Sequence, residues 1–284
     1  MHRPRILFAA LSLSAFAVLL VLPHRSSTTQ IQVASYLGFD LNEYPGDDGL
    51  PVLRKTFSFT GYWLSPPPGE KRTNWLGKHQ LLQSQGFGFV VLFNGRETRN
   101  LKSSADAKQK GVADGEKAVK LAQQEGFPAG SIIFLDIEEG GRLRPAYHDY
   151  VNTWIDTLSR LHYRSGTYCS GMPVNDGDGK TITTVQDLQD HLAGRQLTFW
   201  IFNDACPPSP GCVFPQTPPA VAQGGTAEAV VWQFAQCPRR KEFTAQCAAT
   251  YAPDGNCYAP GDGAHKWFLD VNVANSADPS APRE

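Results

Sequence analysis

The sequence predicts a single-domain α/β fold of the (β/α)8, TIM-type barrel class. Eight short apolar runs, rich in β-branched and aromatic residues, recur between Tyr36 and Ala274, and such runs read as buried strands. Most are separated by stretches with helical apolar spacing. The span they occupy, residues 36–275, is close to the ~250 residues that eight strand–helix units need. An open doubly wound sheet would alternate in the same way, but no Gly-rich phosphate loop follows the first strand, which disfavours dinucleotide binding.

The first strand is read in YLGFD, ending at Asp40, and Leu50 to Lys55 is a brief helical piece. Phe57 to Leu64 forms the second strand, closed by three prolines. Asn74 to Gln85 has helical spacing, with Trp75, Leu76, Leu81 and Leu82 as its apolar face. The third strand runs from Phe87 to Glu97. A long helix from Ala105 to Glu125 follows, with Val112, Ala118, Val119 and Ala122 turned inward; Gly126 stops it and Pro128 excludes its continuation. SIIFLDIE, from Ser131 to Glu138, is the fourth strand.

Pro145 suits the first turn of the next helix, which is expected to run to His162. Ser165 to Gly171 is the fifth strand, Thr184 to Ala193 a short helix, and Leu197 to Asp204 the sixth strand. Pro219 to Gln223 is a weak helical piece, Ala229 to Gln236 the seventh strand, and Trp267 to Ala274 the eighth. Residues 276–284 read as a flexible, frayed tail.

The first 24 residues are set apart as a signal peptide or N-terminal membrane anchor. His2, Arg3 and Arg5 precede an apolar run from Ile6 to Leu22, the basic start and greasy core of an export segment. Residues 25–35 are a linker. The domain is therefore expected outside the cytoplasm, with residues 6–22 a possible tether. Cysteine use agrees. Cys206, Cys212, Cys237, Cys247 and Cys257 fall in Pro/Gly-rich loops after the sixth and seventh strands and are the disulfide candidates; six cysteines allow 15 pairings, and the connectivity stays open. Zinc is the weaker reading, because no C-x2-C pair is present, and no metal or cofactor is expected. A net charge of −1 carries no nucleic-acid footprint. A monomer is expected.

In a barrel of this kind the active site lies at the C-terminal ends of the strands. The polar residues concentrate there: Asp40 after strand one, Asn94 and Glu97 after strand three, Asp136 and Glu138 on strand four, Asn203 and Asp204 after strand six, Gln233 on strand seven, Asp270 and Asn272 on strand eight. Strand alternation points Asp136 and Glu138 to the same face as Ile132 and Phe134. Two carboxylates on an inward face raise at least one pKa, because burial and like charge both disfavour ionisation. Tyr62, Trp63, Tyr168, Trp200 and Trp232 lie close by. An acidic mouth rimmed by rings suits a sugar. Of these residues Tyr62, Asn94, Tyr168, Trp200, Asn203, Trp232, Gln233 and Asn272 are the substrate-binding candidates.

The pattern G-F-D on strand one, D-I-E on strand four, V-W-Q-F on strand seven and F-L-D-V-N on strand eight resembles the family 25 glycoside hydrolases, the barrel lysozymes. The segment from Gly111 to Glu138 resembles more closely the glycoside-hydrolase-like domains grouped as domain of unknown function 1906. The resemblance implies a general acid at Glu138, its partner at Asp136, and further acidic residues at Asp40 and Asp270. Glu138 would then be protonated at rest. Asp136 or Asp270 would stabilise an oxocarbenium-like state, or orient a water or the substrate's N-acetyl group. The second strand, FTGYWL followed by prolines, departs from the lysozyme pattern, as does the lack of a sixth-strand tyrosine in FWIFND.

Two readings follow. One is an exported glycoside hydrolase acting on an amino-sugar polymer such as peptidoglycan. The other is a catalytically inactive glycan-binding or cell-envelope interaction module on the same barrel. A metal-dependent deacetylase would need a histidine-rich site, and no histidine adjoins a carboxylate-bearing strand end.

Overall fold

Alternating small and large apolar residues let short strands curl into a closed cylinder whose inside is filled by side chains. The computed structural model describes residues 34–203, 217–235, 260–264, 266–267 and 269–283. The elements are β1 (Tyr36–Asp40), α1 (Leu50–Leu53), β2 (Phe59–Trp63), α2 (His79–Ser84), β3 (Gly88–Asn94), α3 (Ser104–Glu125), β4 (Ile132–Asp136) and α4 (Pro145–Arg160). They continue with β5 (Arg164–Ser170), a small hairpin of β6 (Val174–Asn175) and β7 (Thr181–Ile182), α5 (Thr184–His191), β8 (Thr198–Phe202), β9 (Ala229–Ala235) and β10 (Asp270–Ala274). Eight strands close a barrel in the order β1-β2-β3-β4-β5-β8-β9-β10. The hairpin was not foreseen. Among the described residues no helix is long and apolar enough to cross a membrane; the run from Ile6 to Leu22 lies outside them.

The barrel departs from the all-parallel expectation in its last strand. Six neighbouring pairs from β1 to β9 are parallel, but β10 is antiparallel to both β1 and β9. The chain therefore leaves β9 and enters β10 at the same rim, and no crossover helix is needed to carry it back. That reversal sets Asp270 directly opposite Asp40, so the start of β10 joins the C-terminal ends of the other strands.

Inside the barrel, room is made where it is needed. A Cβ on Gly61 would lie 2.6 Å from the Cβ of Asp40, so only glycine leaves space there for the carboxyl. On the outside, α3 and α4 pack closely through Gly111 and Gly115, whose added Cβ atoms would meet Tyr150 O at 2.6 Å and Thr157 Cγ2 at 2.8 Å. This contact sets the roll of α3. Its buried face is Ala107, Gly111, Asp114, Gly115, Ala118, Val119 and Ala122, and Val112, expected inside, is exposed. α2 is shorter than expected because Gly77 takes φ 80°, which no helix accommodates; Leu76 beside it is exposed, while Trp75 is buried.

The C-terminal residues do not fray. Asp278 Oδ1 accepts from Phe89 N at 2.9 Å and Ser280 Oγ accepts from Val91 N at 2.9 Å. Ser280 N donates to Phe89 O, and Ser280 O accepts from Ile132 N. Polar composition concealed a segment that pairs with β3 and β4. Ser280→Ala is expected to lower stability by about 1–3 kcal/mol, since a buried backbone N–H loses its partner; a urea midpoint within error of wild type would refute this.

Candidate active site

The rim positions fall in register around the barrel mouth. Asn94 pairs with Asp136, Asp136 with Tyr168, and Tyr168 with Trp200, while Asp40 stands opposite Asp270. A cleft of about 230 Å³ opens here, lined by Asp40, Asn42, Trp63, Pro68, Leu92, Asp136, Glu138, Tyr168, Trp200, Gln233 and Asp270. A second cleft of about 570 Å³ adjoins it and shares Pro68, Asp136 and Glu138. All four carboxylates read from the sequence are thus brought together. The Tyr168 phenol is held well above its ordinary pKa by burial and then by the charges of Glu138, Asp40, Asp270 and Asp136.

The two carboxyls of D-x-E have different surroundings. Asp136 is buried, and its pKa is raised well above the ordinary carboxylate range. Burial is the main cause; the charge of Glu138, a hydrogen bond between the two carboxyls, and the charges of Asp40 and Glu139 add to it. Asp136 Oδ2 is buried with no hydrogen-bond partner among the described residues. Glu138 is exposed, at the junction of the two clefts. Burial thus gives Asp136 a high pKa, and Glu138 shares a hydrogen bond with it. The cause lies at the strand end. Asp136 is the last residue of β4 and pairs with both neighbouring strands, whereas Glu138 lies beyond it.

Asp40 sits at the end of a chain of buried polar groups. Its Oδ1 accepts from Asn272 Nδ2 at 2.6 Å and from Gln233 Nε2 at 3.0 Å. Tyr168 Oη donates to Gln233 Oε1 at 2.6 Å, and Trp200 Nε1 donates to Asn272 Oδ1 at 2.9 Å. Burial raises the Asp40 pKa to about 6, against the lowering effect of the Asn272 and Gln233 hydrogen bonds, with Glu138 raising it further. Gln233 lines the cleft and also orients Asp40, whereas Asn272, expected to bind substrate, is fully buried with its amide on Asp40. Tyr168 and Trp200 meet edge to face at 4.9 Å and form a wall of the cleft.

Other candidates fall elsewhere. Tyr62 faces the helices, not the barrel interior: its ring packs on Trp75, His79, Phe89 and Phe127, and its hydroxyl donates to Glu125. Alternation along β2 puts the neighbouring Trp63 in the cleft, with Nε1 donating to Leu41 O at 3.1 Å. Trp232 is likewise on the outer face of β9; its Nε1 donates to Asn203 O at 3.0 Å. The Asn203 side chain donates to Gly224 O at 3.1 Å and serves the fold there. Asn94 lines the larger cleft, but its Nδ2 donates to Pro66 O at 2.9 Å and ties down the proline loop.

Arg96 was missed. It makes two 2.6 Å bonds to the buried Asp114 carboxylate and fixes the loop after β3; its only signal was a charged residue within an apolar helix face. Asp204, Cys206, Cys212, Cys237, Cys247 and Cys257 lie outside the described residues, while Cys169 is a buried free thiol. Among the described residues no histidine lines either cleft.

A closed barrel with carboxylates gathered at one mouth, one of them buried with a high pKa, is the architecture of a glycosidase-like protein. Residues 69–209 match the family described as Rv2525c-like, glycoside hydrolase-like domain, and the chain carries a glycoside hydrolase-like barrel domain of that family. Among solved structures, an uncharacterized B. stearothermophilus protein is similar at 18% identity and TM-score 0.53, over 84% of this chain and 95% of that one. The Clostridium perfringens spore cortex lytic enzyme SleM is similar at 16% identity and TM-score 0.51, over 85% and 68%. The Mycobacterium tuberculosis Tat-secreted protein Rv2525c aligns at 14% identity and TM-score 0.46, over 84% and 95%. No curated protein matches the chain.

Proposed function

We propose that this protein is an exported glycoside hydrolase that cleaves glycosidic bonds in an amino-sugar polymer such as peptidoglycan. The observation that carries the proposal is the hydrogen-bonded pair of a buried, high-pKa Asp136 and an exposed Glu138 at the junction of two clefts. Such a pair shares a proton between two carboxyls, because burial and like charge both disfavour ionising the two together. Glu138, the accessible member, delivers it to the leaving glycosidic oxygen, and Asp136 supplies the proton affinity behind it. Asp40 and Asp270, facing each other across β1 and β10, stabilise positive charge developing on the sugar ring. Trp63, Tyr168 and Trp200 wall the pocket.

Action outside the cytoplasm rests on the basic residues before the apolar run from Ile6 to Leu22. The polymer assignment is supported by family membership and by a barrel shared with a spore cortex lytic enzyme. The decisive experiment measures release of reducing ends from purified peptidoglycan and from chitin-type oligosaccharides. Release by the wild type that is lost in Glu138→Gln supports hydrolysis. No release by either protein, with glycan binding intact, would replace the enzyme with a glycan-binding module on the same barrel.

A further inference from the structure

Away from the carboxylate cleft, the fold brings a histidine of one helix to a carboxylate and a histidine of the next. His148 comes from α4, and Asp187 and His191 from α5; one ligand atom of each lies within 4.8 Å of the others. We propose that His148, Asp187 and His191 bind one divalent transition-metal ion, with zinc the best match.

The carboxylate at the centre is fully buried. Its Oδ2 accepts from Leu143 N at 2.9 Å and lies 2.7 Å from His148 Nε2. Its Oδ1 accepts a long hydrogen bond from Arg142 Nη1 at 3.4 Å and lies 3.6 Å from His191 Nδ1. A separation of 3.6 Å is too long for a hydrogen bond. It is close to the ~3.4 Å between two ligands of a tetrahedral zinc with bonds of about 2.0–2.1 Å.

The two imidazoles stack with centroids 3.8 Å apart and planes 7° apart. His191 is 42% exposed, which gives the ion an entry path and leaves a fourth position to water. Turning it onto a metal displaces one hydrogen bond, the 2.7 Å contact of Nδ1 with Asp187 O. Arg142 is anchored by two bonds to Asp176 at 2.9 and 2.6 Å, and a metal on Asp187 Oδ1 displaces its single 3.4 Å bond to that oxygen. Two nitrogens and one carboxylate select a borderline ion such as zinc over calcium or magnesium, which take oxygen ligands. Because Asp187 also holds Leu143 N, and Thr184 Oγ1 bonds Glu139 O at 3.3 Å, a bound ion fastens α4 and α5 to the loop that follows Glu138.

The test uses the full chain, stripped with chelator and titrated with zinc chloride by calorimetry and thermal unfolding. One zinc per chain and a raised melting temperature are expected. His191→Gln, at the surface, keeps the fold, loses the thermal shift and weakens binding at least about tenfold. His148→Gln behaves likewise. Cobalt(II), as a spectroscopic probe, gives a tetrahedral visible band in the wild type that is absent from His191→Gln. Absence of saturable zinc binding, or zinc binding and a cobalt band unchanged in His191→Gln, overturns the site.

Discussion

Glu138→Gln is expected to lower glycan hydrolysis by about 10²–10⁴-fold, the contribution of a positioned general acid, with little change in glycan affinity or stability. The side chain is exposed at the cleft mouth, so an amide fits there without repacking. Asp136→Asn should cost as much activity but act differently. It removes the buried group whose raised pKa keeps a proton beside Glu138, so any residual activity should shift its pH profile toward acid, where Glu138 alone is protonated. Initial rates of reducing-end release across pH for the wild type and both variants check this. Equal activity in wild type and Glu138→Gln would remove Glu138 from the chemistry.

The second large effect is on stability. The Asp40 pKa is raised from 3.8 to about 6, so the native state binds more protons than the unfolded chain between those values. The favourable contribution of the protonated carboxyl is fully present below pH ~4 and is lost as pH rises through ~6, a change on the order of 3 kcal/mol. Asp136 is shifted in the same direction and adds to the slope. Asp40→Asn should flatten this limb and leave the protein about 1–3 kcal/mol more stable than wild type at pH 7. The Asn Oδ1 can still accept from Gln233 and Asn272, while the buried charge is gone. Activity should fall in the same variant, a stability gain at the expense of function. Urea unfolding at pH 4, 6 and 8 is the measurement; a variant less stable than wild type at pH 8 would contradict the argument.

Much of this was legible from strand chemistry. Runs such as SIIFLDIE and AVVWQFAQ could only be buried strands, and the acidic residues closing them marked the rim before any topology was known. Alternation along the strands decides the aromatic residues. Tyr62 and Trp232 were placed in the mouth because they lie near strand ends, yet parity puts them on the outer face and puts Trp63 and Gln233 inside. The antiparallel β10 also left a trace: between the seventh and eighth strands the sequence shows a Cys-rich insertion and no helical pattern. A parallel return would need a crossover.

The sequence by itself determined the strands, the carboxylates and their gathering at one end, because periodicity and the cost of buried charge are local properties of a chain. Tertiary structure alone decided which carboxyl is buried, which amides are spent on Asp40, and how residues 276–283 close onto β3 and β4. It alone brought His148 to Asp187 and His191. Those outcomes depend on which side chains from distant segments exclude water from a given atom, and no spacing along the chain encodes that.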